Sequence, residues 1–304
     1  MTRVLKIGTR ASPLAQAQAK HVQALLKTHG QESELVLITT SGDRIQDRYL
    51  SEVGGKALFT KEIERALLEG EADLAVHSIK DVETVRPKGI ILASILARHD
   101  PRDALITRED YTLKTLPEGA TLGTASARRA AQLKELRDDL NIVMLRGNVG
   151  TRLQKLQDGD VDATFLALAG LERLGIQPSH LQPLAPEHMV PSAGQGALGL
   201  ECLENDPDLV ALLQSLEDPK SRQCVELERL FLHLVGGDCH TPVGIYVKPQ
   251  EGADLLETWI FVGNAAQDAS LRFYEASPYE MMRTQILNWA KDVKAWLKKY
   301  PSMC

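Results

Sequence analysis

Short apolar runs that end in polar turns and pass directly into helix-like stretches recur along the first two thirds of this chain. That alternation restricts the fold to an α/β architecture with mainly parallel sheets. Val4–Ile7 is the first apolar run, and Ser12 followed by Pro13 supplies an N-cap with a proline at the first helical position. A helix of about five turns should follow, ending near Gly30. ELVLITTSGD (34–43) reads as a second buried strand. ALFTKEIERALLEG (57–70) places Phe59, Ile63, Ala66 and Leu67 on one helical face. ADLAVHSIKD (72–81) is a third strand running into a polar turn, and GIILASIL (89–96) is a fourth.

The charged segment ARHDPRDALIT (97–107), with Pro101, reads as a crossover into a second α/β pattern. There GATLGTASARRAAQLKELR (119–137), NIVMLRGNVGTRLQKL (141–156) and DATFLALAGLERLG (162–175) repeat one strand–turn–helix plan. After PSAGQGALGLE (191–201), the ALGLE run can return as a strand to the first domain. Two crossings between the same pair of domains predict a hinge and a cleft. From about residue 219 the pattern changes to a helix ending at glycines and three alternating strands, TPVGIYVK, ETWIFVGNA and SLRFYEAS. A final helix carries Met282, Ile286, Trp289, Val293, Trp296 and Tyr300 as a stripe, either its packed side or a partner face. The expected domains are 1–97 with 197–216, 101–192, and 219–304.

A net charge of −6 argues against a generic nucleic-acid binder. No apolar run reaches membrane-spanning length, and the start MTRVLKIGTRASPLAQ lacks the apolar core of a secretory signal. Cytoplasm, or an organelle matrix after trimming, is the expected compartment. Cys202, Cys224, Cys239 and Cys304 show no zinc-type spacing, so free thiols and no metal site are expected.

Basic and hydroxyl residues collect where strands hand over to helices: Arg10 and Ser12; Thr124, Ser126, Arg128 and Arg129; Arg146 and Arg152; Arg173. In open α/β sheets that edge is the ligand crevice. Helix N-termini and arginine forks suit carboxylates and phosphates. Each arginine alone also reads as a solvated helix residue, but the recurrence points to a small ligand with several acidic groups. In HSIKD (77–81), Lys80 can bind an anion and Asp81 a cationic or N–H-bearing centre; the alternative is a surface Lys–Asp turn. His77 reads as a structural histidine or a base. GGKALFTKE (54–62) reads as a flap with Lys56 and Phe59, and it lacks the spacing of a phosphate-binding P-loop. Cys239, in LVGGDCHTPVG, sits in a glycine-rich loop, as an incidental thiol or as an attachment point.

Taken in order, TRASPLA, VGGKALFTKE, AVHSIKD, DPRDA, GTASARR, LRGNVGTRL, LALAGLERLG, PSAGQGALGLE and LERLFLHLVGGDCHTPVG closely resemble the porphobilinogen deaminases (hydroxymethylbilane synthases), from about residue 4 to 246. The resemblance implies two type II periplasmic-binding-protein-like α/β domains with a hinged cleft, plus a C-terminal α+β domain with a small antiparallel sheet. It implies a transferase that joins four porphobilinogens head to tail, losing ammonia at each addition, and releases hydroxymethylbilane. Cys239 matches the position that carries a dipyrromethane cofactor through a thioether. Asp81 matches the catalytic aspartate, which stabilises developing positive charge and moves protons.

By the same matching, Lys80, Asp81, Thr124, Ser126, Arg128 and Arg129 hold the cofactor. Arg10, Ser12, Lys56, Phe59, Arg146, Arg152 and Arg173 serve the substrate and the growing chain. No metal, nucleic acid or membrane is implied, and a monomer is expected. Ala57, Ala125, Glu83 and Asp238 depart from the usual glycine, serine, proline and glycine. Two rivals explain parts of the pattern: a hinged binding protein for an anionic solute, and a cysteine-dependent transferase without cofactor.

Overall fold

A computed structural model describes residues 3–41, 60–236, 242–264 and 266–300. In chain order, β1 (Leu5–Arg10) leads into α1 (Pro13–Thr28), whose N-cap Ser12 accepts from the Ala15 amide at 3.3 Å. Next come β2 (Ser33–Ile38), α2 (Lys61–Leu68) and β3 (Leu74–Ser78), the last ending in a 3₁₀ turn, Ile79–Asp81. β4 (Ile90–Ile95), β5 (Asp103–Thr107), β6 (Thr121–Gly123), α3 (Ala127–Leu136), β7 (Asn141–Val143) and α4 (Val149–Gln157) follow. β8 (Ala163–Ala167), α5 (Leu168–Leu174), β9 (Leu181–Pro183), β10 (Leu198–Leu203), α6 (Pro207–Gln214) and α7 (Pro219–Val235) continue the chain. β11 (Val243–Pro249), β12 (Leu256–Gly263), β13 (Ser270–Ser277) and α8 (Tyr279–Leu297) complete it.

The chain divides into two compact units. The first comprises Met1–His99, Arg173–Gly175 and Gly196–Arg222; the second comprises Asp100–Glu172, Ile176–Gln195 and Gln223–Cys304. The segments expected as second and third domains therefore fall largely in one unit. The first unit's sheet has the order β2-β1-β3-β10-β4, and the second unit's has β7-β6-β8-β5-β9. Both follow one plan. Three strands run parallel, and the fourth position is antiparallel to its neighbours: β10 in one sheet, β5 in the other. Each of these antiparallel strands is the first after a crossing segment, so the chain arrives at an interior strand and departs from the edge strands β4 and β9.

Period-two alternation puts the two faces of the first sheet to separate use. Leu5, Ile7, Leu74 and Val76 pack with Ala19, Val22 and Leu26 of α1, while Ala75 packs with Ile63, Ala66 and Leu67 of α2. Three of the four residues read on the α2 face, Ile63, Ala66 and Leu67, are therefore buried, and the fourth, Phe59, lies outside the described residues. In the second sheet, Leu105, Leu122 and Phe165 face Leu133 of α3; Ala104, Ile106 and Leu166 face Leu156 and Leu171. A third sheet, β11-β12-β13, is antiparallel throughout. One of its faces buries Ile245, Val247, Ile260 and Val262 under α7 and α8; the other sets Tyr246, Trp259 and Phe261 against Ala131 and Val190.

Two expectations change. β2 is the edge of its sheet rather than a buried strand, and Leu37 is 52% exposed. The end of the supposed crossover, DALIT, forms the interior strand β5, because its five residues are all buried between β8 and β9. β9, three residues ending in Pro183, forms where the sequence carries no strand pattern. The stripe of α8 is its packed side: Met282, Ile286, Trp289 and Val293 are buried, Trp296 packs against the same core, and Tyr300 is exposed.

Candidate active site

In the first unit, β1 and β3 are parallel neighbours, with Ile7 beside Leu74 and Gly8 beside Ala75. That register carries Arg10, the last residue of β1, and the Ile79–Asp81 turn to the same edge of the sheet. Arg10, Ser12, Lys80 and Asp81 are all half-buried there. The turn is fixed from both sides. Ser78 Oγ accepts from Gln18 Nε2 of α1 at 2.8 Å, and the Ile79 amide donates to the Ala197 carbonyl at 3.1 Å. Arg10 and Asp81 both act on the buried imidazole of His77. Burial is the largest influence and lowers its pKa, Glu201 and Asp81 oppose that, and Arg10 and Arg86 reinforce it. The burial of His77 and the 3.4 Å approach of its Nε2 to the fully buried Glu201 favour the structural reading over a base.

In the second unit, the turn after β6 is self-bonded. Thr124 donates its amide to the Val143 carbonyl at 2.9 Å and accepts the Ser126 amide at Oγ1 at 3.2 Å. Ser126 caps α3 by accepting from the Arg129 amide at 3.4 Å. The cap places Arg128 and Arg129 in the first helical turn, where both guanidiniums turn inward and are buried. They converge on Asp103 at the head of β5, itself 0% exposed. Arg128 Nη2 donates to Oδ2 and Arg129 Nη2 to Oδ1, each at 2.7 Å. Gln195 Nε2 adds a bond to Oδ1 at 2.8 Å, and the carbonyls of Val190 and Phe165 accept from Arg128 Nη1 and Arg129 Nη1. Burial alone would raise the Asp103 pKa, but the two guanidiniums outweigh it and hold the carboxyl well below the usual carboxylate range. Burial also lowers the Arg128 pKa, against the pull of Asp103.

These two arginines are thus committed to the protein interior more fully than the sequence suggests. Two guanidiniums on one carboxylate nevertheless leave one positive charge uncompensated, at a helix N-terminus that already favours anions. Arg129 Nε is buried with no hydrogen-bond partner in the structure. A surplus charge and an orphaned donor fit the carboxylate arm of a dipyrromethane, and the Asp81 carboxylate fits a pyrrole N–H or a cationic centre.

The remaining candidates are dispersed. Arg146 is half-buried in the turn between β7 and α4. Arg152 Nε donates to the Gly147 carbonyl at 2.8 Å, closing a turn that Gly147 enters at φ +120°. Arg173, on α5, groups with the first unit; its Nη2 donates to the Gly196 carbonyl at 2.6 Å, and its charge helps to lower the pKa of His21, where burial is the largest cause. Lys56, Phe59 and Cys239, with the departures Ala57 and Asp238, lie outside the described residues. The chain on either side of Cys239 is defined: α7 closes at Gly236 with φ +66°, and Pro242 accepts from the Gly263 amide at 2.8 Å. Asp103 and Gln195 are the site residues that sequence reasoning missed. An acid heading an otherwise apolar run was the available signal. Among the described residues, no cluster of histidine, cysteine and acidic side chains is arranged for a metal, and no helix is long and apolar enough to cross a membrane.

Comparison with known proteins places this geometry. The family model described as "Porphobilinogen deaminase, dipyromethane cofactor binding domain" matches residues 5–211. A porphobilinogen deaminase of Sphingopyxis alaskensis is 49% identical over 270 residues, covering 86% of this chain and 85% of that protein. One from Sulfurimonas denitrificans is 49% identical over 245 residues, covering 79% and 78%. Among solved structures, the chain is similar to a periplasmic substrate-binding protein of an ABC transporter from Coxiella burnetii, at 19% identity and a TM-score of 0.44, covering 72% of this chain and 94% of that one. By the family model and the curated relatives, this chain belongs to the porphobilinogen deaminase family, the transferases of tetrapyrrole biosynthesis that condense four porphobilinogens into hydroxymethylbilane on a dipyrromethane cofactor.

Proposed function

We propose that the reaction is carried by Asp81, with Cys239 as the covalent anchor of the dipyrromethane through a thioether. When bound, that group supplies the free pyrrole α-carbon from which the product is built. Lys80, Thr124, Ser126, Arg128 and Arg129 hold its carboxylates, with Arg129 Nε and the surplus charge beside Asp103 as the supporting feature. Arg10, Ser12, Arg146, Arg152 and Arg173 neutralise the acetate and propionate arms of incoming porphobilinogen and of the lengthening chain. Lys56 and Phe59 cover the substrate.

As a carboxylate, Asp81 accepts from the pyrrole N–H of porphobilinogen, stabilises positive charge as ammonia departs from the protonated aminomethyl group, and takes up the proton released from the substituted α-carbon. The observation that carries this reading is the shared sheet edge: an aspartate on a pinned turn, beside Arg10 and a buried His77. The division into domains 1–97 with 197–216, 101–192 and 219–304 belongs to the same proposal, supported by the separate apolar core under the C-terminal sheet. So do cytoplasmic residence and a monomeric state.

Asp81→Asn tests the assignment. Turnover should fall about a hundredfold or more while the covalent mass addition is retained. Wild-type turnover in that variant would reject Asp81 as the catalytic group.

A further inference from the structure

The turn that bears Asp81 opens a crossover without a helix. β3 and β4 flank β10, and both are antiparallel to it, so residues 79–89 must travel from one end of β10 to the other. Ser78 pairs with Leu198 at the start of this path, and Ile90 pairs with Leu203 at its end. Backbone bonds fix both ends: Ile79 to Ala197 at 3.1 Å, and the Glu204 amide to the Gly89 carbonyl at 2.9 Å. Between them the chain passes the exposed residues Glu83 and Val85.

Beneath this path sits a buried charge that catalysis does not use. Glu201 of β10 is 0% exposed, in a strand whose neighbours are apolar. Its Oε1 accepts from Arg86 Nε at 2.6 Å, and its Oε2 lies 3.4 Å from His77 Nε2. Burial lowers the His77 pKa and its Nε2 stands farther off, so Arg86, at 2.6 Å, is the main neutralising charge. Glu64 of α2 faces the same group; burial raises its pKa, and Glu201, Glu83 and Arg86 act on it. A buried carboxylate paired with a guanidinium through one Nε bond is a fastening, because releasing it leaves the charge unpaired out of water.

We propose that Arg86 and Glu201 are positioning residues: their ion pair fastens the 79–89 crossover to β10 and thereby holds Asp81 at the angle catalysis needs. The inference rests on Asp81 as the catalytic group. Neither Arg86 nor Glu201 contacts substrate in this account; they act through the turn.

The test uses the cofactor-loaded chain and compares Arg86→Met, Arg86→Lys and Asp81→Asn. For each, kcat and KM, the intact mass, and hydrogen exchange of a peptide spanning 79–89 are measured. Arg86→Met should lower kcat about tenfold to a hundredfold, since small displacements of reacting groups are costly. KM and the covalent mass should hardly change, and exchange over 79–89 should quicken while peptides from β6 and β8 stay protected. Arg86→Lys keeps the charge and loses the Nε bond, so both kcat and exchange should fall between the Met variant and the wild type. Should the Met variant fail to fold, the Lys variant carries the test alone. Wild-type kcat in the folded variant overturns the proposal, and so does a lowered kcat with wild-type exchange over 79–89. Undiminished turnover in Asp81→Asn would instead overturn the reading on which it rests.

Discussion

A carboxylate without solvent survives in a folded chain only where cations or hydrogen-bond donors compensate its charge. Asp103 meets that condition through Arg128 and Arg129, and the arrangement has a measurable pH signature. Its pKa is depressed in the folded chain. The stabilisation is therefore complete above the unfolded carboxylate pKa of about 3.9 and is lost as pH falls from there toward the folded value. Asp103→Asn should cost about 3–5 kcal/mol at neutral pH, because two buried guanidiniums lose their counter-charge. Urea unfolding across an acid series checks both points: the variant should be less stable at neutral pH and should lose less on acidification than the wild type. Cys202 gives a second residue-scale prediction. Burial pushes its thiol up to about 11, with Asp206 and Glu201 adding to the effect. Alkylation of the native chain at pH 8 should spare Cys202, and peptide mapping showing it modified as fast as in the unfolded chain would contradict the buried setting.

At the scale of elements, Cys239 lies in sequence between α7 and β11, and Glu228 ties those two elements together. Its carboxylate is 0% exposed, accepts from the Val247 amide at 2.9 Å, and accepts from the Gly194 amide at 2.6 Å. Gly244, at the start of β11, passes so close to residues 190–191 that an added Cβ would lie 2.7 Å from the Val190 carbonyl oxygen. Backbone cannot yield as a side-chain tip can, so Gly244→Ala should destabilise the chain by about 1–3 kcal/mol, read from urea midpoints. Strand and helix signals were plain wherever the period was local. Ser12-Pro13, the α8 stripe and the three C-terminal strands all appear where spacing places them. What was illegible was nonlocal. The charged residues before DALIT hid an interior strand, and nothing near ELVLI indicates that its sheet ends there. The clusters at Arg128–Arg129 and at Asp81 were visible as residue types. Their partners, Asp103, Glu201 and Arg86, arrive from strands and loops far away in sequence, and no spacing rule connects them.

Over the whole molecule, a chain of net charge −6 nevertheless sets Arg10, Arg128, Arg129, Arg146 and Arg152 where strands hand over to helices, which suits a polyacidic pyrrole chain. Asp238, beside Cys239, adds a carboxylate where the cofactor would attach. It should slow loading, so Asp238→Gly should acquire the covalent mass faster than the wild type when the unloaded chain is given porphobilinogen. The central claim is that Cys239 tethers a dipyrromethane on which the product grows, and intact-protein mass spectrometry tests it most directly. The purified chain should carry the mass of two linked pyrrole units, further single-ring increments should appear after porphobilinogen is added, and Cys239→Ala should show neither. A catalytically active chain with the bare polypeptide mass, or an unchanged adduct in Cys239→Ala, would contradict it.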